Sequence, residues 1–474
     1  MKHRLPLFFV LLVLCCVLIV TATGSVYASP ATASNGVSGK CITTGSTNTL
    51  QGTLEGANYT IQVPANWNGT LVLYSHGYTF ASLPIDKPAP DASDVGTATA
   101  LLQSGYALAG SSYSQNGWAL QQAFHDQITL LNYFNATCGK PVRTIAWGDS
   151  LGGIITAGLV QLHPNLFAGA LPMCGVLAGG VGTWNQALDS AYAFDVLLAG
   201  NKLPVVNISS PLQALQQAEA ILTTAQKTPQ GRARIALAAA LNDLPGWYNF
   251  TSPEPASNDY VTQEQNQYLW ESQVDFLFAF VARAELEARA GGNPSWNNGV
   301  DYHTQLKLSI DRKEVVHLYE QAGLKINADL DALNAAPRIY ANQHAVDYLR
   351  QYIVFNGDIN VPVLTIHTTG DGLVVNEQER AYRSVVNSQG DGGFLRHVFI
   401  HRAGHCSFTP AERLTALATL VRRIDTGKWG KSTAPTLLNQ EAASLGSTLN
   451  PVPPAFIDYS PTPFLRPYDV RNEG

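Results

Sequence analysis

The sequence predicts an α/β protein whose mostly parallel, doubly wound sheet is interrupted by one large helical insertion. Between residues 46 and 180, short apolar runs alternate with helical stretches, which is the pattern of parallel strands joined by helices. The alternation stops after residue 173 and resumes at residue 361, and a gap of about 180 residues is far too long for a simple connection. With 474 residues, of which 46% are hydrophobic, the chain can bury a large core.

The core is predicted in two parts, residues 46–180 and residues 356–430. Residues 50–63 carry two short alternating runs that indicate an opening antiparallel pair. Buried strands of the first part are expected at residues 71–74, 107–112, 143–147 and 168–173. Helices between them are expected near residues 98–104 and 120–134 and from Gly153 onward. The second part contributes two strands and one helix, at residues 361–367, 395–400 and 411–424.

The insertion, predicted over residues 181–355, has helical periodicity. Apolar residues recur in it at intervals of three or four, as at Trp270, Val274, Leu277, Phe278 and Val281. A second segment, residues 212–224, repeats that pattern. After the core, residues 431–474 form a Pro-rich tail, and its recurring aromatic residues predict an extended segment packed on the core.

The segment Gly148-Asp149-Ser150-Leu151-Gly152 fits the G-x-S-x-G pattern of a nucleophilic serine on a tight turn. An apolar strand precedes it and a helix start follows it, which is the context that the motif requires. The glycines permit a turn sharp enough to lift the serine above the strand ends, and the helix N-terminus brings positive backbone dipoles to the hydroxyl. An ordinary strand-to-helix turn is the alternative interpretation.

His405 is the predicted base for Ser150. It lies in the loop that follows the strand at residues 395–400, in a chain order of serine, acid and histidine that such sites share. His401 is the alternative base. Because His401 follows the strand directly, it is expected to face the sheet surface or to pack against it.

Asp371 is the predicted acid that orients the imidazole. It ends the apolar strand at residues 361–367 and stands between two glycines. Asp358 and Asp391 are rivals, but neither ends an apolar run so directly. The three side chains would meet above the carboxyl edge of the sheet, where the serine attacks, the histidine moves the proton and the aspartate fixes the imidazole.

Two backbone N–H groups are predicted to stabilise an oxyanion beside Ser150. The first belongs to Leu151, directly after the serine. The second comes from the turn after the strand at residues 71–74, where Tyr78 is the first choice and Gly77 the alternative. A simple turn at this His-Gly sequence would explain the residues without any role in catalysis.

In these motifs the chain resembles the α/β-hydrolase superfamily, over residues 45–180 and 355–430. The resemblance implies a cofactor-free serine hydrolase in which the insertion forms a cap over the active site. A separate domain without a catalytic role is the alternative for the insertion. The turn Gly77-Tyr78-Thr79 is also similar to the oxyanion turn of secreted polyester hydrolases.

A partial likeness to the tannase and feruloyl esterase group is visible around the same residues. That group joins a cysteine beside its catalytic serine to a cysteine beside its catalytic histidine. Here Cys406 follows His405, but Asp149 stands before Ser150. Half of the pattern is absent, so the aromatic-ester specificity of that group is not carried over.

The N-terminus predicts export. A basic start at residues 2–4, an apolar run at residues 5–20 and a small-residue cleavage site ending at Ala28 define a signal peptide over residues 1–28. An uncleaved anchor is the alternative. Residues 29–45 are rich in small polar residues and predict a flexible leader. No later stretch of the sequence is apolar enough to span a bilayer, so no stable membrane span is expected after cleavage.

Four cysteines follow the predicted signal peptide, namely Cys41, Cys138, Cys174 and Cys406. They allow three pairings in a secreted protein, and free buried thiols are the alternative. Cys174 follows the strand at residues 168–173 and Cys406 adjoins the predicted base, so both lie at carboxyl ends of strands. The sequence therefore predicts a disulfide between Cys174 and Cys406, which leaves Cys41 and Cys138 to pair by elimination.

Charge and motif content exclude several functions. The net charge is −6 and no basic run occurs, which argues against a nucleic-acid partner. The sequence has no H-E-x-x-H, no C-x-x-C and no calcium-loop pattern, so no metal site is predicted. Glycine-rich dinucleotide or phosphate fingerprints are also missing, so no cofactor is expected.

The sequence thus predicts a secreted serine hydrolase of carboxylic esters. A cap narrows access to the site, which favours small or medium soluble esters over solid polymer. Candidates for the lining of a capped pocket are Trp184, Trp247, Tyr248 and Trp270. An extracellular peptidase on short peptides, a polyester depolymerase and a catalytically idle binding protein are the alternatives.

Overall fold

A mostly parallel sheet forms the centre of the molecule, in a computed structural model that describes residues 41–469. Nine strands occur among these residues, and their bounds are β1 Asn48–Leu54, β2 Ala57–Val63, β3 Thr70–Ser75, β4 Ala107–Ser111, β5 Arg143–Asp149, β6 Gly169–Met173, β7 Val363–Gly370, β8 Leu395–Ala403 and β9 Phe456–Ile457. Across the sheet their order is β1-β2-β4-β3-β5-β6-β7-β8-β9. The pairs from β4 through β8 are parallel, whereas β1, β2 and β9 pair antiparallel with their neighbours.

Helices connect the strands and cover both faces of the sheet. The helices of the first half are α1 Val95–Gln103, α2 Leu120–Cys138, α3 Leu151–Leu162, α4 Gly179–Phe194, α5 Pro211–Ala225, α6 Pro229–Ala240 and α7 Tyr260–Trp270. Those of the second half are α8 Arg283–Ala290, α9 Tyr302–Leu308, α10 Arg312–Ala322, α11 Ile326–Ala335, α12 Gln343–Gln351, α13 Glu377–Gln389, α14 Pro410–Thr426 and α15 Pro435–Ser444. The predicted α/β-hydrolase arrangement is thereby confirmed.

Strand β3 illustrates why the central strands are apolar throughout. Leu71 and Leu73 belong to the hydrophobic cluster on one face of the sheet, and Val72 and Tyr74 belong to the cluster on the other. Successive side chains of a strand point to opposite faces, and helices cover both faces here, so each position must be apolar. Strand β1 lies at the sheet edge and is mostly exposed, as the alternating sequence of residues 50–63 indicates.

The chain between β6 and β7 is helical and carries a hydrophobic core of its own. Helices α4 to α12 occupy it, together with π-helical segments at Asp195–Ala199, Glu271–Asp275 and Leu277–Ala282. One buried cluster, which includes Phe194, Phe280 and Tyr319, lies wholly within this segment. Trp184 instead joins the cluster of the central sheet, so the segment is packed on the sheet.

The C-terminal tail differs from the extended segment expected over residues 431–474. It contains helix α15 and adds β9 to the edge of the sheet beside β8. Pro435 stands at the first turn of α15, where proline is tolerated, and the residues that follow it are good helix formers. The prolines that dominate the composition lie later, around β9, so the overall composition concealed this helix.

A disulfide between Cys41 and Cys138 anchors the start of the described chain to α2. Cys41 is buried, so the chain is held from this residue onward, within the leader predicted over residues 29–45. The predicted signal peptide, residues 1–28, lies outside the described residues. Within residues 41–469, none of the helices combines the length and the apolar character needed to cross a bilayer.

Candidate active site

Ser150 lies on a strained turn between β5 and α3. Its backbone has φ 61° and ψ −120°, a left-handed conformation that is costly for a residue with a side chain. The two motif glycines make the turn possible, because a Cβ atom on Gly148 or Gly152 would collide with the carbonyl oxygen of Ser75. The G-x-S-x-G pattern therefore has a steric cause here, and the hydroxyl of Ser150 is presented at the carboxyl edge of the sheet.

Asp371 and His405 are hydrogen-bonded to each other at the same edge. His405 Nδ1 lies 2.7 Å from Asp371 Oδ2, across the loops that follow β7 and β8. The other carboxylate oxygen of Asp371 accepts hydrogen bonds from the backbone N–H groups of Leu373 and Val374, at 3.1 and 3.0 Å. Both oxygens of the fully buried carboxylate are thus occupied, which fixes its orientation toward the imidazole.

A second imidazole lies behind Asp371. His367 Nε2 is 3.4 Å from Asp371 Oδ2, and His367 Nδ1 is 2.9 Å from Glu379 Oε1. The other oxygen of Glu379 is 2.6 Å from His397 Nδ1. These side chains are almost completely buried, so the four groups form a charged network inside the protein, continuous with His405.

The network sets the ionisation of its members. Burial alone would raise the pKa of Asp371, but the imidazoles of His405 and His367 outweigh it and hold that pKa well below its usual range. Burial also opposes a charge on His367, yet its hydrogen bonds to Asp371 and Glu379 raise its pKa to about 10. For Glu379 the same two opposing effects lower the pKa to about 2. A cationic imidazole is therefore held between two carboxylates at neutral pH.

The rival residues lie elsewhere. His401 is inside β8, and its half-exposed side chain forms an ion pair with Glu254 at 3.0 Å. Asp358 is exposed. Asp391 accepts a hydrogen bond from the backbone of Ile359, which precedes the N-terminal end of β7, whereas the site lies at the C-terminal end. The structure therefore brings together Asp371 and His405 and leaves the rivals apart.

Ser150 and His405 are connected through the second disulfide. The backbone N–H of Ser150 donates to the carbonyl of Met173, and the next residue, Cys174, is bonded to Cys406. His405 immediately precedes Cys406, and its Nε2 lies 3.4 Å from the Cys406 sulfur. Within the part of the chain that the structure describes, the Ser150 hydroxyl itself is not hydrogen-bonded to His405. Both disulfides predicted from the sequence are present.

Arg413 makes a second link between the two loops. Its guanidinium lies 3.8 Å from Asp149 Oδ1 and donates to the carbonyl oxygen of Cys406 at 3.2 Å. Tyr74 donates a hydrogen bond to the other oxygen of Asp149, at 2.9 Å. Asp149 occupies the position where the tannase and feruloyl esterase group has a cysteine. Arg413 therefore bridges here, through one ion pair and one hydrogen bond, the two places that a disulfide joins in that group.

The turn expected to supply an oxyanion donor packs directly on Ser150. A Cβ atom on Gly77 would lie 3.3 Å from Ser150 Cβ and 3.9 Å from Ser150 Oγ. Both Tyr78 and Leu151 line the cavity onto which Ser150 opens. This places the backbone of the Gly77–Tyr78 turn and the first residue of α3 on either side of the serine.

The cavity above Ser150 is enclosed by the core and by the helical segment between β6 and β7. It encloses about 90 Å³, which is room for several water molecules or a small chemical group. Of the four aromatic residues expected to line it, Trp184 does. Trp270 instead packs against Gly372 beside the acid loop, Tyr248 packs on Trp270, and Trp247 packs on His401.

Several residues around the site were not predicted from the sequence to belong to it. They are His367, Glu379 and Arg413 behind the site and Glu271, Asp275, Phe276 and Phe278 in the cavity wall. The acidic residues of the wall lie on the segment with apolar periodicity at residues 270–281. A carboxylate beside the apolar face of a helix is the one feature of the sequence that could have indicated them. His367 gives none, because a histidine near the end of a strand is common.

Within the described range, one group of side chains has its potential metal-ligating atoms close enough together to share an ion, namely Cys174, His405 and Cys406. Both sulfur atoms of this group are joined in the disulfide, so they cannot act as thiolate ligands.

Known proteins similar to this chain include an amidase, an esterase and a peptidase. The o-phthalyl amidase of Xanthobacter agilis is 29% identical over 432 residues, which cover 83% of this chain and 91% of that protein. Feruloyl esterase B from Aspergillus oryzae is similar in structure, with 13% identity and a TM-score of 0.38 over 80% of this chain and 81% of its own. The acylaminoacyl peptidase of Pyrococcus horikoshii matches with 10% identity and a TM-score of 0.36, and this chain covers 41% of its length.

A family model matches the chain as well. The model of a tannase-like family of unknown function, DUF6351, matches residues 47–389. This range contains Ser150 and Asp371 and ends before His405. Because the match covers more than half of the chain, the protein belongs to this tannase-like family.

Proposed function

We propose that this protein is a secreted serine hydrolase that cleaves carboxylic esters or amides through an acyl-enzyme intermediate. Ser150 is the nucleophile, His405 the general base and Asp371 the residue that orients the imidazole. The observation that carries the proposal is the position of Ser150. It has a strained backbone and lines a cavity, at the same edge of the sheet as the Asp371–His405 pair. Strain of this kind is retained where a function requires it.

The reaction follows from these positions. Ser150 Oγ attacks the carbonyl carbon of the substrate, and His405 Nε2 takes the hydroxyl proton while Nδ1 stays bonded to Asp371. The N–H groups of Leu151 and of Tyr78, or alternatively Gly77, stabilise the oxyanion. His405 then protonates the leaving alcohol or amine, and a water molecule that it activates releases the acid and restores Ser150.

The family and the amidase support ester or amide hydrolysis as the bond class. The matched model is described as tannase-like, and the relative with 29% identity is an amidase. The wall that the helical segment adds above Ser150 supports a small or medium soluble substrate rather than a solid polyester, because a polymer chain needs an open cleft. The two disulfides are compatible with an oxidising, extracytoplasmic compartment, which supports export.

Covalent labelling with a fluorophosphonate tests the mechanism. The wild-type protein should be labelled at Ser150, and Ser150→Ala should not be labelled. Absence of labelling in a folded wild-type protein would overturn the proposal and favour a binding protein. The control is Ser93→Ala, since the Ser93 hydroxyl is bonded to Asp149 and has no proposed part in the reaction.

A substrate panel then separates the bond classes. Soluble p-nitrophenyl esters, N-acyl anilides, aminoacyl anilides and a polyester film should be compared at equal enzyme concentration. We expect turnover of soluble esters or N-acyl anilides and little release from film. Faster release from film than from matched soluble esters would replace the proposed substrate class by that of a depolymerase.

A further inference from the structure

The cavity above Ser150 contains two carboxyl groups in an otherwise apolar and aromatic wall. Glu271 and Asp275 line it, together with aromatic side chains at Tyr78, Trp118, Trp184, Phe276 and Phe278. None of the residues that line this cavity is a lysine, an arginine or a histidine. The wall of the proposed substrate site is therefore acidic and carries no compensating positive charge.

The two carboxyl groups lack partners in the protein. Both oxygens of Glu271 and one oxygen of Asp275 are buried and have no hydrogen-bond partner within residues 41–469. Glu271 is only 1% exposed. Buried polar atoms are nearly always paired in folded proteins, and an orphaned one costs the protein its full desolvation. Three such atoms beside one cavity indicate that their partner is a molecule that enters the cavity.

The local backbone explains how both groups reach the cavity. They lie at the two ends of the π-helical segment Glu271–Asp275, directly after α7. A π-helix widens each turn, so residues four positions apart lie close to the same face, and such segments are frequent at functional sites. Burial raises the pKa of both carboxyl groups well above the usual range. Nearby Asp275 and Glu264 raise the pKa of Glu271 further, and nearby Asp371 raises that of Asp275.

We infer that Glu271 and Asp275 form a subsite for a primary ammonium group on the substrate of the proposed hydrolase. The inference rests on the proposed function and names the class of substrate. An ammonium group carries three N–H donors and one positive charge. It matches the three unpartnered oxygens, neutralises the acidic wall and is attracted to the faces of the aromatic rings. A free carboxylate on the substrate has no hydrogen to donate to these oxygens and would gain none of these contacts.

Binding to Ser150→Ala tests this without turnover. Three ethyl benzoates that differ only in the para substituent, aminomethyl, ethyl or carboxymethyl, should be titrated into the protein by calorimetry. We expect the aminomethyl ester to bind about tenfold or more tighter than the ethyl ester, the value of one charge-assisted hydrogen bond, and the carboxymethyl ester to bind most weakly.

Substitutions of the two acids supply the decisive comparison. Glu271→Gln and Asp275→Asn, each combined with Ser150→Ala, should lower the ratio of the two dissociation constants toward one. Each change removes the acid and keeps the shape of the side chain. Because two positions are tested separately, the comparison survives if one of the two variants fails to fold. The matched control is Asp195→Asn, a buried acid at the start of another π-helical segment, which does not line the cavity and accepts a hydrogen bond from the backbone of Leu203. There the ratio should be unchanged.

Two results would overturn the inference. One is equal binding of the aminomethyl and ethyl esters, and the other is tightest binding of the carboxymethyl ester, in which case the protonated acids would serve an anionic substrate. Neither result bears on the labelling of Ser150. A protein that is labelled by fluorophosphonate but shows no preference for the cation would thus keep the proposed function and lose the ammonium subsite.

Discussion

His367 Nε2 lies 3.4 Å from Asp371 Oδ2, and neither side chain has any exposed surface. The acid that orients His405 is therefore held from behind by a second imidazole, which Glu379 in turn holds at 2.9 Å. A buried cation between two carboxylates keeps Asp371 ionised and directed at His405. The free energy of unfolding should consequently depend on pH through this buried imidazole.

His367→Gln should reduce the pH dependence of stability on the alkaline side. The pKa of His367 is raised in the folded state to about 10 from the ordinary value of 6.5. Its contribution to the free energy of unfolding is thus complete below pH 6.5 and is lost as the pH rises through about 10. Urea unfolding at pH 7 and pH 10 should show a steeper loss for the wild type than for His367→Gln. The control His303→Gln, at a partly exposed ion pair, should behave as the wild type, and equal slopes for all three proteins would contradict the prediction.

Ser150→Ala and His405→Ala should each lower kcat by several orders of magnitude. Asp371→Asn should be severe as well, because the amide can present the wrong hydrogen-bonding group to the imidazole. His401→Ala should keep near-wild-type turnover, since its side chain bonds to Glu254 at the surface. Initial rates on a soluble ester provide the measurement. If His401→Ala were inactive and His405→Ala active, the assignment of the base would be wrong.

Gly77→Val should lower kcat by roughly 10²–10³, the cost of displacing one oxyanion donor. The first added carbon alone would be 3.3 Å from Ser150 Cβ, so the turn must shift away from the serine. Tyr78→Phe should change kcat little, because the proposed donor at that position is the backbone. A folded Gly77→Val protein with unchanged kcat would remove this turn from the oxyanion site.

The two disulfides should separate stability from activity. Replacing Cys174 and Cys406 by Ser should cost about 2–5 kcal/mol of stability and also lower kcat, because the bond holds the loop of His405. Replacing Cys41 and Cys138 by Ser should cost stability of the same order with kcat preserved, since that bond lies at the C-terminal end of α2 and contacts none of the proposed catalytic residues. Thermal unfolding and ester turnover of both double variants would check this. Full activity without the Cys174–Cys406 bond would contradict it.

Arg413→Met should lower kcat by about 10- to 100-fold, the effect expected when a catalytic loop moves by a fraction of an ångström. The guanidinium bridges Asp149, beside the proposed nucleophile, and the carbonyl of Cys406, beside the proposed base. Arg422→Met is the matched control, because Arg422 lies on the same helix α14 and pairs with Glu441 away from the site. Equal rates for the two variants would show that the bridge has no effect on the reaction.

Much of this architecture could be predicted because its signals are local. The glycines around Ser150 are required by contacts with Ser75, and the strand that ends just before Asp371 is buried along almost its whole length. The pairing of Cys174 with Cys406 followed from their positions at the ends of parallel strands, and the structure contains that bond. In each case, the residues of a short segment carry the signal, even where the contact that requires them is distant.

The features that escaped prediction depend on contacts between distant segments. Glu271 and Asp275 follow a helical pattern whose period of 3.6 residues assigns them to no particular surface. The π-helical turns change that period, so the cavity face could not be located from spacing alone. Likewise, His367 becomes important only when the turn after β7 brings α13 back against the strand and places Glu379 beside it, a contact that residue spacing alone does not show. Helix α15 was missed for a different reason, since prolines nearby dominated the composition.

The position of the helical segment between β6 and β7 has a consequence for the order of folding. Ala170 pairs with Val363 and Met173 with Ile366, so the centre of the sheet is closed only when strands far apart in the chain meet. The entropic cost of closing a loop grows only with the logarithm of its length, so the final stability is little affected. Folding rates, however, fall as contacts become less local. The first half of the sheet and the helical segment should therefore form earlier, and the serine and its base should come together last.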